Sequence, residues 1–357
     1  MKNEKSRVEE LVEKDETVGE LRRQIGRLER KLRKTIDREN SIIEAVVEAV
    51  IENPPHLVAP RRPASQKSKR EEIAVLHLSD TQIGKITETY DTAKAEERVL
   101  EACQKIAQIA ETRRKSAAIR RCDLILGGDM IEGEDIFPAQ AHEIDSSVYE
   151  QACVTGPAIL CKAILFLAQE FEEVRIFSVP GNHGRNGAYG GRANPRTNWD
   201  QVAMHTTRTI LLGTTAHPRK ELVGRVIWPA VNPRFWTIDR IYNWGLLIVH
   251  GHQIRGGFAG FPLYGTAKKM WGWMDSIEEP WDLLAFGHFH TPAMLTIGKR
   301  RVYANGTTES DNEYAREELA TCGLPCQRAL FFDAEHGVLS DDLLYLEIGK
   351  PSSKVRR

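Results

Sequence analysis

IAVLHLSDTQ, Ile73–Gln82, is an apolar run of strand length that stops abruptly and places an acidic and an amide side chain, Asp80 and Gln82, just beyond its end. A short apolar run bounded by polar residues predicts a strand buried within a sheet. The same pattern recurs four more times along the chain: LIL before Gly127-Gly128-Asp129, VRIFSV before Pro180-Gly181-Asn182-His183, LLIV before His250, and LLAF before Gly287-His288-Phe289-His290. Helical patterns over Ala93–Ser116 and Ser147–Phe171 separate the first three runs, which is the signature of βαβ units. The class is therefore α/β, and in such sheets ligands gather beyond the carboxyl ends of the strands.

Taken singly, an Asp or His after a strand is ordinarily a turn residue, a cap or a satisfied polar group. Five successive runs that all end in Asp, Asn, Gln or His are not explained by turn chemistry and point to a metal site. The donors Asp80, Gln82, Asp129, Asn182, His250, His288 and His290 combine carboxylate, amide and imidazole without thiolate. Such a set suits Mn²⁺, Fe or Zn²⁺, with Mn²⁺ expected first. It is too large for one ion and fits two divalent metal ions with Asp129 as bridge. Gly128 and Gly133 would let the backbone approach closely there. His183 beside them has the chemistry to protonate a leaving oxygen or to hydrogen-bond a phosphoryl oxygen.

In order and spacing, SDTQ, GGDMIEG, GNH, HGH and GHFH resemble the five blocks of the calcineurin-like metallophosphoesterase family, over roughly residues 73–310, with VYANGTTES similar to the family's closing strand and turn. The resemblance implies a four-layer α-β-β-α sandwich. It also implies one metal on Asp80, Gln82, Asp129 and His290, and the other on Asp129, Asn182, His250 and His288. His183 becomes the non-ligand general acid, with a hydroxide activated by the two cations as nucleophile. This chain departs from the family twice. Gln82 stands where a histidine is usual, which weakens the first site, and Gly184-Arg185 stand where an acidic residue commonly orients the histidine, so His183 must find its partner elsewhere.

Loops choose the substrate. The insertion GRNGAYGGRANPRTNWD after His183 carries Arg185, Arg192 and Arg196, which can present guanidinium forks to phosphates, or can form a plain surface loop. RGGFAGFPLYGTAKKMWGW, Arg255–Trp273, mixes Phe258, Phe261, Tyr264, Trp271 and Trp273 with Lys268 and Lys269. That mixture suits stacking on single-stranded bases, and it also suits an amphipathic core helix. HLSDTQIGK and HGHQIRG are similar to the nuclease branch of the family, including SbcD-type exonuclease subunits and phage-encoded relatives. The stretch after His290 is too short for the capping domain those nucleases carry. The expected activity is a phosphodiester hydrolase acting on DNA. A hydrolase of small phosphoesters such as nucleotides or cyclic nucleotides is the alternative, and a non-catalytic partner-binding module is the third reading.

With 357 residues and 41% hydrophobic composition, the chain can build a sizeable core, and its net charge of -1 exerts no global pull toward nucleic acid or membranes. No uninterrupted apolar stretch of about 18 residues and no signal-peptide core occur, so a soluble, cytoplasmic protein is expected. Over residues 1–52, Val18, Leu21, Ile25, Leu28 and Leu32 follow a coiled-coil seam, which predicts either self-association as a homodimer, pairing with a partner helix, or a solvated helix. Residues 53–70, rich in Pro and basic side chains, read as an extended linker, residues 71–350 as the catalytic domain and 351–357 as a disordered tail. The six cysteines read as reduced thiols, with Cys322 and Cys326 in a loop.

Overall fold

The computed structural model describes residues 24–27, 70–137, 140–186, 194–213, 220–229, 234–255, 261–310 and 324–347. The chain divides into two units, Met1–Ala49 and Val50–Arg357. In the first, residues 24–27 are helical and Ile25 is exposed. The remaining seam residues, the linker up to Lys69 and the 351–357 tail lie outside the described residues.

In the second unit the chain runs β1 (Ile73–Leu78), α1 (Thr92–Arg113), β2 (Arg121–Leu126), α2 (Gly156–Glu170), β3 (Glu173–Ser178), α3 (Trp199–Gly213), β4 (Val226–Ile227), β5 (Trp236–Ile241) and β6 (Trp244–Val249). It continues through α4 (Leu263–Ser276), β7 (Leu283–Phe286), β8 (Ala293–Ile297), β9 (Arg300–Ala304), β10 (Cys326–Asp333) and β11 (Gly337–Tyr345). The architecture is mixed α/β with two sheets. Among the described residues, one is six-stranded in the order β11-β10-β1-β2-β3-β4 and the other five-stranded in the order β5-β6-β7-β9-β8. Strands β1 to β4 are parallel, as are β6, β7 and β9, while β10 is antiparallel to β1.

The apolar runs are uninterrupted because both faces of these strands are covered. Leu246 and Ile248 of β6 join Val75, Ile125, Phe177, Leu330 and Phe332 of the other sheet in one core between the sheets. Leu247 and Val249, pointing the other way, pack with Met270, Trp273 and Met274 of α4. In the first sheet Ala74 and Leu76 are fully buried, α1 packs on β1, and α2 packs on β3. Register then sets up the site: Leu78 pairs with Leu126 and Leu126 with Ser178, so the loops bearing Asp80, Asp129 and Asn182 leave one sheet edge at one level.

Two elements differ from the sequence reading. The helix expected over Ser147–Phe171 begins as a short turn at Val148–Glu150 and a π-helical turn at Gln151–Thr155 before α2. Gln151, at the start of the π turn, accepts from Gly133 N at 2.8 Å and so ties this turn to the loop beyond Asp129. By length and composition Val148–Glu170 could cross a membrane, yet it is 67% buried in the protein, where α2 packs on α1 and α3. Cys326 is not in a loop. It opens β10 and is buried, while Cys322 lies outside the described residues.

Candidate active site

The loop residues beyond the strands have unusual backbones. Asp80, Gln82, Asp129, His288 and His290 all have positive φ, from 40° to 70°. For non-glycine residues this costs roughly 1–2 kcal/mol each, and such strain gathers at functional sites. The closing turn after β9 holds the first of these loops. Asp80 O accepts from Thr307 Oγ1 at 2.8 Å and Thr308 N at 3.2 Å, and Asn305 Nδ2 donates to His77 O and to Ser79 Oγ, each at 3.0 Å. The second loop is closed by two glycines at positive φ. A Cβ on Gly128 would stand 2.7 Å from Gly181 N, and one on Gly133 would stand 2.5 Å from His183 O.

A third brace was not anticipated. Asp200, near the start of α3, is buried and accepts from four backbone amides. Its Oδ2 takes Asp129 N at 3.0 Å and Gly181 N at 2.8 Å, and its Oδ1 takes Met130 N at 3.1 Å and Ile131 N at 3.3 Å. Burial, then the neighbouring Asp129, pushes its pKa up to about 6. Asn198 adds a bond from Nδ2 to Gly181 O at 2.8 Å. Thus the NWD end of the post-His183 insertion clamps the β2 and β3 loops together.

These braces bring the donors of the second set into contact. His250 Nε2 lies 2.8 Å from Asp129 Oδ2 and 3.2 Å from Asn182 Oδ1. Asp129, His250 and His288 offer ligand atoms all within 4.8 Å of one another. Gly127 O, 2.9 Å from His250 Nδ1, takes that proton and leaves the Nε2 lone pair for a cation. In the first set, His290 Nε2 is 3.3 Å from Asp80 Oδ1, and both Asp80 oxygens accept from His288 N, at 3.0 and 3.1 Å. Gln82 N donates to Asp129 O at 3.0 Å, while Gln82 Oε1 is buried with no hydrogen-bond partner among the described residues.

That orphaned amide oxygen fits a metal, since a buried acceptor without a donor is costly unless a cation takes it. Electrostatics agree. Burial lowers the pKa of His250, but Asp129 overrides it and the value rises to about 9. Burial likewise opposes, and Glu309 outweighs, in raising His290 to about 10. Asp129, despite burial, is held well below the usual carboxylate range by His250 and His183. His288 goes the other way, held well below its ordinary value by burial and by His250, so the positive charge that the carboxylates attract settles on His250 and His290 when no cation supplies it.

His183 finds the partner that Gly184-Arg185 do not provide. Its Nδ1 is 3.1 Å from Glu132 O and 3.1 Å from Glu132 Oε2, and its backbone N donates to Asp129 Oδ1 at 2.7 Å. Against burial, Glu132 and Asp129 raise its pKa to about 9. Glu309 plays the corresponding part for His290, with Oε1 2.7 Å from Nδ1. Both carboxylates sat in quoted motifs, Glu132 in GGDMIEG and Glu309 in VYANGTTES, but only folding shows which ring each faces. His252 adds a further imidazole, its ring centroid 5.6 Å from that of His250 and 6.4 Å from that of His288. Burial, then His250 and Arg185, holds it at about 3, hence neutral.

The expected phosphate contacts separate. Arg185 is close enough to His252 to lower its pKa, whereas Arg192 lies outside the described residues. Arg196 lines a cavity of about 540 Å³ with His205, Arg208 and Trp228, and none of the metal-ligand candidates lines it. Lys268 and Lys269 are exposed on α4.

No family model and no curated protein matches the chain. Among solved structures it is similar to a predicted phosphoesterase from Streptococcus pneumoniae TIGR4, at 13% identity over 76% of this chain and 98% of that one, with a TM-score of 0.29. Wild-type Vps29 complexed with zinc, from Entamoeba histolytica, aligns at 12% identity over 77% and 99%, with a TM-score of 0.32. The phosphoesterase YfcE from E. coli aligns at 12% over 76% and 99%, with a TM-score of 0.33. Likeness at this level says nothing of activity, and the chemistry rests on the side chains described above.

Proposed function

We propose that this protein is a metal-dependent phosphoester hydrolase of the calcineurin-like type, built as an α-β-β-α sandwich. The observation that carries this reading is the convergence of Asp129, His250 and His288 within 4.8 Å of one another beside a buried Gln82 Oε1 that has no donor among the described residues. Asp80, Gln82, Asp129 and His290 would hold one divalent cation, and Asp129, Asn182, His250 and His288 the other. When bound, two such cations lower the pKa of water and neutralise charge on phosphoryl oxygens. Mn²⁺ is the cation we propose, with Fe or Zn²⁺ accommodated by the same donors.

The chain's own contribution is the proton. His183 is held through Nδ1 by Glu132, so Nε2 is the nitrogen that carries a proton toward a departing ester oxygen. Its raised pKa keeps that proton in place at neutral pH. Gly127 and Glu309 fix the rings of His250 and His290 through their Nδ1 atoms, so neither ring has to reorient to bind.

For the substrate we propose DNA, in the manner of a nuclease. Supporting this, α4 divides its aromatics. Phe261, just before it, and Trp273 pack inward, while Tyr264 and Trp271 are 78% and 67% exposed with Lys268 between them on the same face. Aromatic faces interleaved with positive charge stack on bases and neutralise phosphates. The test offers the purified protein with Mn²⁺ single- and double-stranded DNA, bis-p-nitrophenyl phosphate and p-nitrophenyl phosphate, with Asp129→Asn as control. DNA cleavage abolished by the substitution supports the nuclease. Turnover of the monoester alone refutes it in favour of a small-molecule phosphoesterase, and inactivity on every substrate without metal binding points to a partner-binding module.

A further inference from the structure

Lys85 stands three residues beyond Gln82, and the chemistry above does not use it. Its side chain is only 10% exposed, with Nζ 3.2 Å from Glu309 Oε2 and 3.9 Å from Glu132 Oε1. The remaining oxygen of each carboxylate faces a histidine: Glu309 Oε1 faces His290 Nδ1 at 2.7 Å, and Glu132 Oε2 faces His183 Nδ1 at 3.1 Å. One ammonium thus sits at the middle of a continuous chain, His290–Glu309–Lys85–Glu132–His183. Backbone bonds hold its position, from Lys85 N to Gln82 O at 3.0 Å and from Ile86 N to Glu143 O at 2.8 Å.

Stability alone is a weak reason for this arrangement. Glu132 and Glu309 are each 2% exposed, and burying three charges costs as much as, or more than, their attraction returns. Packed apolar side chains would serve the fold as well. What the ionic chain provides is orientation. The ammonium, at ion-pair distance from one oxygen of each carboxylate, biases the other oxygen toward its imidazole, closely at Glu309 and at longer range at Glu132, where His183 Nδ1 also meets the backbone O at 3.1 Å. Gln140 Nε2 steadies Glu132 further, donating to its Oε1 at 3.0 Å.

We propose that Lys85 is a positioning residue that locks His290 and His183 into one shared arrangement by holding the far oxygens of Glu309 and Glu132. For catalysis this rests on the hydrolase reading. The geometric claim does not.

The test compares the full chain with Lys85→Met, which keeps length and loses charge, and Lys85→Arg, which keeps charge. In the metal-free protein, nitrogen-edited NMR of the histidine rings is expected to show the Nδ1–H protons of His183 and His290 protected in the wild type. In Lys85→Met both are expected to exchange with solvent at least about tenfold faster, while Lys85→Arg retains protection of both. With Mn²⁺ alone, calorimetry should show the affinity of one site falling about 10–100-fold in Lys85→Met, the loss typical when the residue supporting a ligand is removed. Hydrolysis of bis-p-nitrophenyl phosphate should lose kcat by a similar factor with KM within about threefold. Unchanged exchange and Mn²⁺ affinity in a folded Lys85→Met protein would overturn the proposal, as would loss at only one of the two rings. If Lys85→Met fails to fold by circular dichroism, Lys85→Gln takes its place in the same comparison. A wild type with protected rings but no hydrolysis of any phosphoester refutes the hydrolase reading, while the NMR arm still decides the role of Lys85.

Discussion

Glu309 Oε1 sits 2.7 Å from Nδ1 of His290, so a carboxylate from the closing turn orients a histidine delivered by the loop after β7. Replacing it by Gln keeps the shape and removes the charge. Glu309→Gln is expected to weaken Mn²⁺ binding at the site containing His290 by about 10–100-fold and to leave the other site near its original affinity. Calorimetric titration resolves the two sites, and equal losses at both would contradict this pairing.

Asp200 accepts from the backbone amides of Asp129, Met130, Ile131 and Gly181. An amide offers one acceptor oxygen where the carboxylate offers two, so Asp200→Asn is expected to lose about 3 kcal/mol, from bonds worth roughly 1.5–3 kcal/mol each to a charged group. In a domain of this size that lowers Tm by about 5 °C, read by scanning calorimetry of the metal-free protein. A shift under about 2 °C would mean that the clamp is not energetically significant.

pH acts through the clustered histidines. His250 and His290 rise from 6.5 to about 9 and about 10 on folding. A base whose folded pKa exceeds its unfolded value adds stability that is fully present below the unfolded pKa and disappears as pH rises through the folded one. The metal-free protein should therefore lose Tm between about pH 7 and pH 10. Mn²⁺ takes the place of these protons, so the gain in Tm on adding it should grow across the same interval. A gain that shrinks with rising pH would be evidence against metal binding at these rings.

Gln82 offers an amide oxygen where a histidine would offer nitrogen. Imidazole suits Zn²⁺ better than Mn²⁺, whereas carbonyl oxygen suits Mn²⁺. Gln82→His should therefore tighten Zn²⁺ more than Mn²⁺, by roughly tenfold in the ratio of the two affinities measured by competition. An unchanged ratio would show that residue 82 is not a ligand.

Much of the site was legible because it is a property of strand ends. Each apolar run was long enough to call a strand and each was followed at once by a polar donor, so Asp80, Asp129, Asn182, His250, His288 and His290 could be grouped before any fold was known. The glycines at 128 and 133 were legible for the same local reason, since a turn that tight needs a residue without Cβ. Residues acting across the sheets were not legible. Glu132, Glu309 and Lys85 lie within the motifs and Asp200 at the end of the insertion, but nothing local pairs them with their targets, and the separations that matter are large, 208 positions between His288 and Asp80 and 71 between Asp200 and Asp129. The Arg-rich insertion also carries a role that its guanidinium groups do not announce, since Asn198 and Asp200 at its end hold the loops.

The α/β class, the strand-end position of the candidate ligands and the choice of nitrogen and oxygen donors are written along the chain, because periodicity, turn chemistry and donor type are local. Folding settled which carboxylate faces which imidazole, that Gln82 Oε1 meets no donor among the described residues, and that α4 turns Tyr264 and Trp271 outward while Trp273 goes in. Those outcomes depend on the packing of two sheets whose contacting residues are far apart in the chain, and no spacing along the chain encodes a contact of that kind.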